Sequence, residues 1–216
     1  MRETMIRSAT GLVFGLVVIG SIVGGPWFNA FLWICVGLLA VREFAKGLKK
    51  ASPAKVWGFA AFMGLWLSLI IGIPWQSSGG YEPSVLLSLI FMIWVNDSGA
   101  YFVGKPLGRN KLAPRISPGK SWEGFAGGAV FSVLLAGWLW GWAYAWIGVL
   151  TAISATAGDL IESAWKRRNG LKDSGVLLPG HGGILDRFDG FMITAPIYFI
   201  LLSLLPLETS LKALLP

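Results

Sequence analysis

The chain has 216 residues, 55% of them hydrophobic and 13% charged, about half the charge of a typical soluble domain. Its mean hydropathy of +0.66, with 12 Trp and 29 Gly, suits helices packed in lipid and anchored at its interfaces, and excludes an ordinary cytosolic globule. The single Cys35 excludes an intramolecular disulfide and a Cys-based zinc site.

In chain order, apolar runs at about 8–25, 28–45, 56–75, 84–103, 124–141, 142–163 and 190–207 predict an all-α, polytopic integral membrane protein of about seven transmembrane helices. The first run, behind Arg2 and Arg7, has the length of a signal-peptide core. No small-residue cleavage site followed by a soluble mature domain accompanies it, so it is read as a helix. The stretch from Phe125 to Ala157 is long enough for two spans. Gly141 and the cluster Trp138, Trp140, Trp142 and Trp146 mark a turn at an interface between them.

Basic residues test this division independently, because Lys and Arg gather in cytoplasmic loops and should occupy every second loop. Arg2 and Arg7 precede the first run, and Arg42, Lys46, Lys49, Lys50 and Lys55 follow the second. Lys105, Arg109, Lys111, Arg115 and Lys120 follow the fourth; Lys166, Arg167, Arg168, Lys172 and Arg187 follow the sixth. Of the 18 basic residues only Lys212 falls on the other side, which puts the N-terminus in the cytoplasm and the C-terminus outside. The net charge of +7 is therefore sided. It reads as topology and attraction to anionic lipid, with no nucleic-acid partner, since the aromatics lie in the apolar runs.

Ionisable groups within spans mark function by default. Glu43, Asp97, Asp159 and Glu162 all fall near the cytoplasmic ends of their predicted helices. Asp159, Glu162 and Ser163 share one helical face, and Asp186 and Asp189 stand in the same i, i+3 relation where the last span begins. Such acids beside basic loops are either salt bridges tying helix ends together or a site for divalent cations and phosphates.

The loop over 104–124 is basic and rich in Gly and Pro, which should break any helix until about Ser121. Gly119-Lys120-Ser121 has the form of a P-loop end, but Pro114 stands where the first Gly should be, so a Walker A site is rejected. Ser117, Lys120 and Ser121 either donate hydrogen bonds to phosphates beside a helix start or belong to a solvated loop. In the loop over 164–190, Gly180, Gly182 and Gly183 let backbone amides approach an anion. The only histidine, His181, is either structural or a substrate contact, and it has no Cys or His partner for zinc.

The unbroken segment from Ser163 to Asp189 (SAWKRRNGLKDSGVLLPGHGGILDRFD) closely resembles the signature of the phosphatidate cytidylyltransferase, or CDP-diacylglycerol synthase, family. Asn96-Asp97-Ser98-Gly99-Ala100-Tyr101-Phe102 with Gly104, and Ser117-Pro-Gly-Lys-Ser-Trp-Glu-Gly124, are similar to the family's pattern. Trp165 departs from it, standing where an aliphatic residue or Phe is expected. The resemblance covers most of 84–207 and is looser before that, resting on Arg42-Glu43-Phe44 and the basic N-terminus. It divides a single membrane domain (1–216) into N-terminal helices (1–83) and a catalytic core (84–207).

The resemblance implies an enzyme that joins CTP and phosphatidic acid into CDP-diacylglycerol and releases pyrophosphate in a Mg²⁺-dependent step, with K⁺ as a companion cation. Asp159 and Asp186 match the family's metal-binding acids. Lys166, Arg167, Lys172 and Arg187 would neutralise the anions that meet at the reacting phosphorus. Asp97, Ser117, Lys120, Ser121, Ser163, His181, Gly182 and Gly183 are the expected substrate contacts, and Asp97 and Glu123 would orient basic groups or help a second cation. The expected partners are CTP, phosphatidic acid, membrane lipids and a second copy in a homodimer. The expected location is the inner membrane, multi-pass, with the site facing the cytoplasm. Competing expectations are a CTP-dependent transferase acting on another lipid, as in CDP-archaeol synthesis or polyprenol phosphorylation, and, from another class, a cation-coupled transporter.

Overall fold

The computed structural model describes residues 2–50, 52–76, 79–178, 180, 182–205, 207 and 211, the side chains of 2–8 excepted. Its helices are α1 (Arg2–Val23), α2 (Pro26–Gly47), α3 (Pro53–Gly72), α4 (Pro83–Leu107), α5 (Trp122–Trp140), α6 (Ile147–Asn169) and α7 (Leu185–Leu204). Among the described residues α2 to α7 are long and apolar enough to cross a bilayer, while α1 carries a shorter apolar stretch, Ala9–Val23. The chain is an all-α polytopic membrane protein.

Local chemistry sets the helix ends. Pro occupies the first turn of α2, α3 and α4, where its missing N–H has no intrahelical partner to lose. Gly141, at φ 88°, closes α5 and places the turn between α5 and α6 where the Trp cluster predicts it. Gly170 closes α6 in the left-handed region, and the Leu171 N–H returns to the Lys166 carbonyl at 2.8 Å.

In lipid, helices associate through close packing rather than expulsion from water, which favours small residues at their seams. The tightest seam joins α4 to α5 through Gly99, Gly124, Gly127 and Gly128. α4 also meets α1, α6 and α7, so it forms the centre of the bundle. Trp27, Phe31 and Leu38 of α2, Leu65 of α3, Leu134 of α5 and Ile153 of α6 project outward. A cluster of aromatic rings seats the start of α7 against the first three helices. The Trp33 ring lies 5.2 Å from Phe188 and 5.7 Å from Trp66, and the Trp66 indole donates to the Phe191 carbonyl at 3.1 Å. That seat fixes the height at which the α7 acids emerge.

The loops after α2, α4 and α6 meet at one end of the bundle. The Lys49 N–H donates to the Asn169 side chain at 3.1 Å, and Arg167 Nε donates to the Ile116 carbonyl at 3.3 Å. The loop over 104–124 differs from the sequence expectation. α4 runs on through Pro106 to Leu107, and β1 (Lys111–Ala113) pairs antiparallel with β2 (Ser117–Ser121). A proline in a last turn removes one hydrogen bond, which interfacial water can replace. Glu123 accepts from the Arg109 and Asn110 N–H groups and from the Asn110 side chain at 2.7 Å. It therefore ties the hairpin base to α5 rather than orienting basic side chains.

Candidate active site

The α6 repeat of Asp159, Glu162, Ser163 and Lys166 makes one polar face near the crowded end of the bundle. Ser163 Oγ donates to Asp159 Oδ1 at 3.0 Å. Lys166 Nζ lies between Glu162 and Asp186, at 2.5 Å from each. These side chains are 10%, 4% and 6% exposed, so one cation serves two buried carboxylates. Leaving either carboxylate buried without it would be costly.

Asp186, in the first turn of α7, reaches back to the Gly183 N–H at 2.8 Å, as an acid in a capping box does. The same oxygen accepts from the Ser174 N–H at 2.8 Å and the Ser174 hydroxyl at 2.9 Å. Glu43 arrives from α2 and completes the cap, accepting from the Ile184 and Leu185 N–H groups at 3.0 Å each. Acids at a helix N-terminus are favoured by its unpaired amides and dipole. Gly183 has no room for a side chain, because a Cβ there would strike Ser174 Oγ and the Glu43 carboxylate.

Asp97 from α4, Asp159 and Lys166 from α6, and Asp186, Arg187 and Asp189 from α7 line a polar cavity of about 290 Å³. A second cavity of about 580 Å³ lies between α4, the hairpin, α5 and α6, lined by Tyr101, Lys105, Ser117, Lys120, Ser121 and Thr156. Asp97 and Asp159 border both cavities. Lys120 reaches from β2 to Asp159 at 2.7 Å, and so stands where the two adjoin. Ser121 begins α5 and its hydroxyl accepts from the Gly124 N–H at 3.1 Å.

The structure thus gathers Asp97, Asp159, Lys166, Asp186 and Arg187 around the smaller cavity, and Ser117, Lys120 and Ser121 around the larger; Ser163 is buried behind Asp159 and lines neither. Arg167 instead holds the hairpin turn and the Leu171 carbonyl, and Lys172 is exposed; neither lines these cavities. Gly182, at φ 80°, accepts through its carbonyl from the Leu178 N–H, while Gly183 supports Asp186. His181 lies outside the described residues. Trp165 is accommodated by stacking on Phe44 at 5.2 Å.

Sequence reasoning assigned no role to Asp189, Asp173, Tyr101 or Thr156, which also line these cavities. The i, i+3 relation of Asp186 and Asp189 was the available signal for the first. Glu43 was visible only as an acid at a helix end; its target on α7 lies 141 and 142 residues away in the chain.

All the carboxylates of the smaller cavity offer oxygen, the donor type of hard cations. Among the described residues no three His, Cys, Asp or Glu side chains form a closed metal cage. The donor set fits an ion such as Mg²⁺, which takes one or two carboxylates and keeps positions for water and phosphate.

Fold and site together define a polytopic membrane protein whose carboxylates and cations are gathered at one end of the bundle around two adjoining cavities. The profile of the Cytidylyltransferase family matches residues 54–205, and the chain belongs to this family. It is 50% identical over 121 residues to the phosphatidate cytidylyltransferase of Bacillus subtilis, covering 52% of this chain and 45% of that one. It is 39% identical over 180 residues to that of Brucella suis, covering 79% and 63%, and 35% identical over 194 residues to that of Haemophilus influenzae, covering 79% and 65%. The chain thus spans about half to two thirds of the length of these curated relatives.

Proposed function

We propose that this chain transfers the cytidylyl group of CTP to phosphatidic acid, giving CDP-diacylglycerol and pyrophosphate. A lipid phosphate oxygen bonds to the α-phosphorus of CTP as the bond to the bridging oxygen breaks and pyrophosphate leaves. The observation that carries this reading is the smaller cavity, where five aspartates meet Lys166 and Arg187 at the border of a larger cavity edged by Lys105 and Lys120. Phosphatidic acid is already anionic at neutral pH, so the step needs no general base. It needs repulsion between three phosphates relieved.

Asp159 and Asp186 would hold Mg²⁺, with Asp97 and Asp189 at the same cavity and K⁺ as companion. The metal supplies charge neutralisation and orientation of phosphate oxygens. Lys120 and Arg187 face the cavities and would take phosphate charge directly. Lys166, held between Glu162 and Asp186, fixes the acids in place. The basic loops at the site's end support a site on the cytoplasmic face of the inner membrane, where CTP would arrive from water and the diacyl chains would stay in lipid.

The test is CTP incorporation by the purified protein in lipid–detergent micelles containing phosphatidic acid, following lipid-soluble cytidine and released pyrophosphate with and without Mg²⁺. Metal-dependent CDP-lipid is expected. A folded preparation that labels archaeal-type or polyprenol acceptors but not phosphatidic acid would overturn the choice of acceptor, and one that labels none would overturn the reaction.

A further inference from the structure

A third cavity, of about 330 Å³, lies behind the catalytic acids and plays no part in the reaction above. It is lined by Leu39, Arg42, Glu43 and Lys46 of α2 and by the loop Ser174 to Leu177. Its chemistry is divided. Leu39, Val176 and Leu177 make an apolar floor, and Val176 is 94% exposed. Arg42 and Lys46, one helical turn apart, make a cationic rim. Both are exposed and neither has an acidic partner among the described residues, because the Glu43 carboxylate is occupied by the amides of Ile184 and Leu185.

α2 continues this division along its length. Trp27, Phe31, Ile34 and Leu38 are exposed and recur at helical spacing, forming a lipid-facing stripe that ends at Arg42. An apolar stripe some four turns long that ends in two unpaired cations beside an apolar-floored cavity has the polarity of one phospholipid molecule. We infer that this is a docking site for an anionic glycerophospholipid, its phosphate held by Arg42 and Lys46 and its acyl chains along α2.

The position gives the site a consequence. Glu43 follows Arg42 directly, caps α7, and shares the Ser174 hydroxyl with Asp186. A lipid phosphate at Arg42 is therefore separated from the catalytic cavity by one layer of hydrogen bonds. The inference goes beyond the proposed reaction, and its test needs no turnover.

The 216-residue chain in detergent would be titrated with phosphatidylglycerol and, separately, phosphatidylcholine, and retained lipid counted by native mass spectrometry. Wild type should retain phosphatidylglycerol preferentially. Each basic side chain near a membrane surface contributes roughly a fivefold factor toward anionic lipid, so R42Q/K46Q should weaken phosphatidylglycerol retention on the order of 25-fold and leave phosphatidylcholine unchanged. The charge-preserving R42K/K46R should bind as wild type. If the double variant does not fold, R42Q and K46Q singly should each read about fivefold. Equal retention by wild type and the Gln variants would overturn the inference. So would light scattering showing that the variants dissociate a dimer without releasing lipid, since a second copy would then be the occupant of this face.

Discussion

Glu43 and Asp186, on different helices and 143 positions apart, share one hydroxyl: Ser174 Oγ lies 3.0 Å from the first carboxylate and 2.9 Å from the second. Each carboxylate also accepts backbone amides at the start of α7. The three side chains form a clasp holding α2, the 174 loop and α7 together beside the smaller polar cavity.

Removing the shared proton should loosen that clasp. Ser174→Ala leaves both acids their amide donors but strips one donor from each, and a buried acceptor deprived of a partner costs roughly 1–3 kcal/mol. The expected outcome is a thermal unfolding midpoint lowered by several degrees in detergent, with CDP-lipid formation reduced but detectable. An unchanged midpoint would show that the clasp adds nothing to stability.

Lys166 is the more severe case. It is the one cation within reach of both Glu162 and Asp186 among the described ion pairs, and breaking a buried pair by removing one partner costs about 3–5 kcal/mol. Lys166→Met should therefore be poorly folded. Glu162→Gln, which keeps the Lys166 bond to Asp186, should be milder, and Glu162→Leu with Lys166→Met should recover part of the loss. Thermal melts of the three proteins check that order; a Lys166→Met protein as stable as wild type would contradict it.

The fold was legible because lipid imposes a coarse rule: apolar runs of fixed length, with basic residues in alternate loops. Gly141 and its neighbouring Trp residues marked the turn after α5 for the same reason. The hairpin over 111–121 was missed because its strands are only three and five residues long and the second carries Pro118 and Gly119. They are held by Glu123 at the base and by Arg167 at the turn, neither of which is a local signal. Asp159 and Asp186 could be named from a motif, whereas the partner of Glu43 could not. A cap supplied across 141 residues leaves no periodicity to read.

Asp159 and Lys120 separate two roles at the border between the cavities. Asp159→Asn removes a ligand charge at a side chain 31% exposed, so the fold should survive while turnover falls below detection. Lys120→Ala should keep the acid but free the hairpin and lose a phosphate contact, lowering kcat/KM by about 10–100-fold, the usual effect of a partner one step from the reacting groups. Steady-state CTP incorporation, with melting curves as the folding control, checks both. Wild-type activity in Asp159→Asn would remove this residue from the proposed metal site.

Two Gly→Ala changes should move in opposite directions. Gly158 precedes Asp159 at the α6–α7 seam, where a Cβ would strike the Asp189 carbonyl and crowd Gly190. A methyl there must part the two helices that carry Asp159 and Asp189, and overpacking of this kind costs typically about 1–3 kcal/mol. Among the described residues, nothing beyond its own helical backbone and chain neighbours lies within 4 Å of a Cβ at Gly64 of α3. Alanine there gains helix propensity, up to about 1 kcal/mol, without a clash. Gly158→Ala should thus lose both midpoint and activity, while Gly64→Ala should match or exceed wild type in both. If the two variants behaved alike in melting and CTP incorporation, the close approach of α6 to α7 would not be what sets the spacing of the acids.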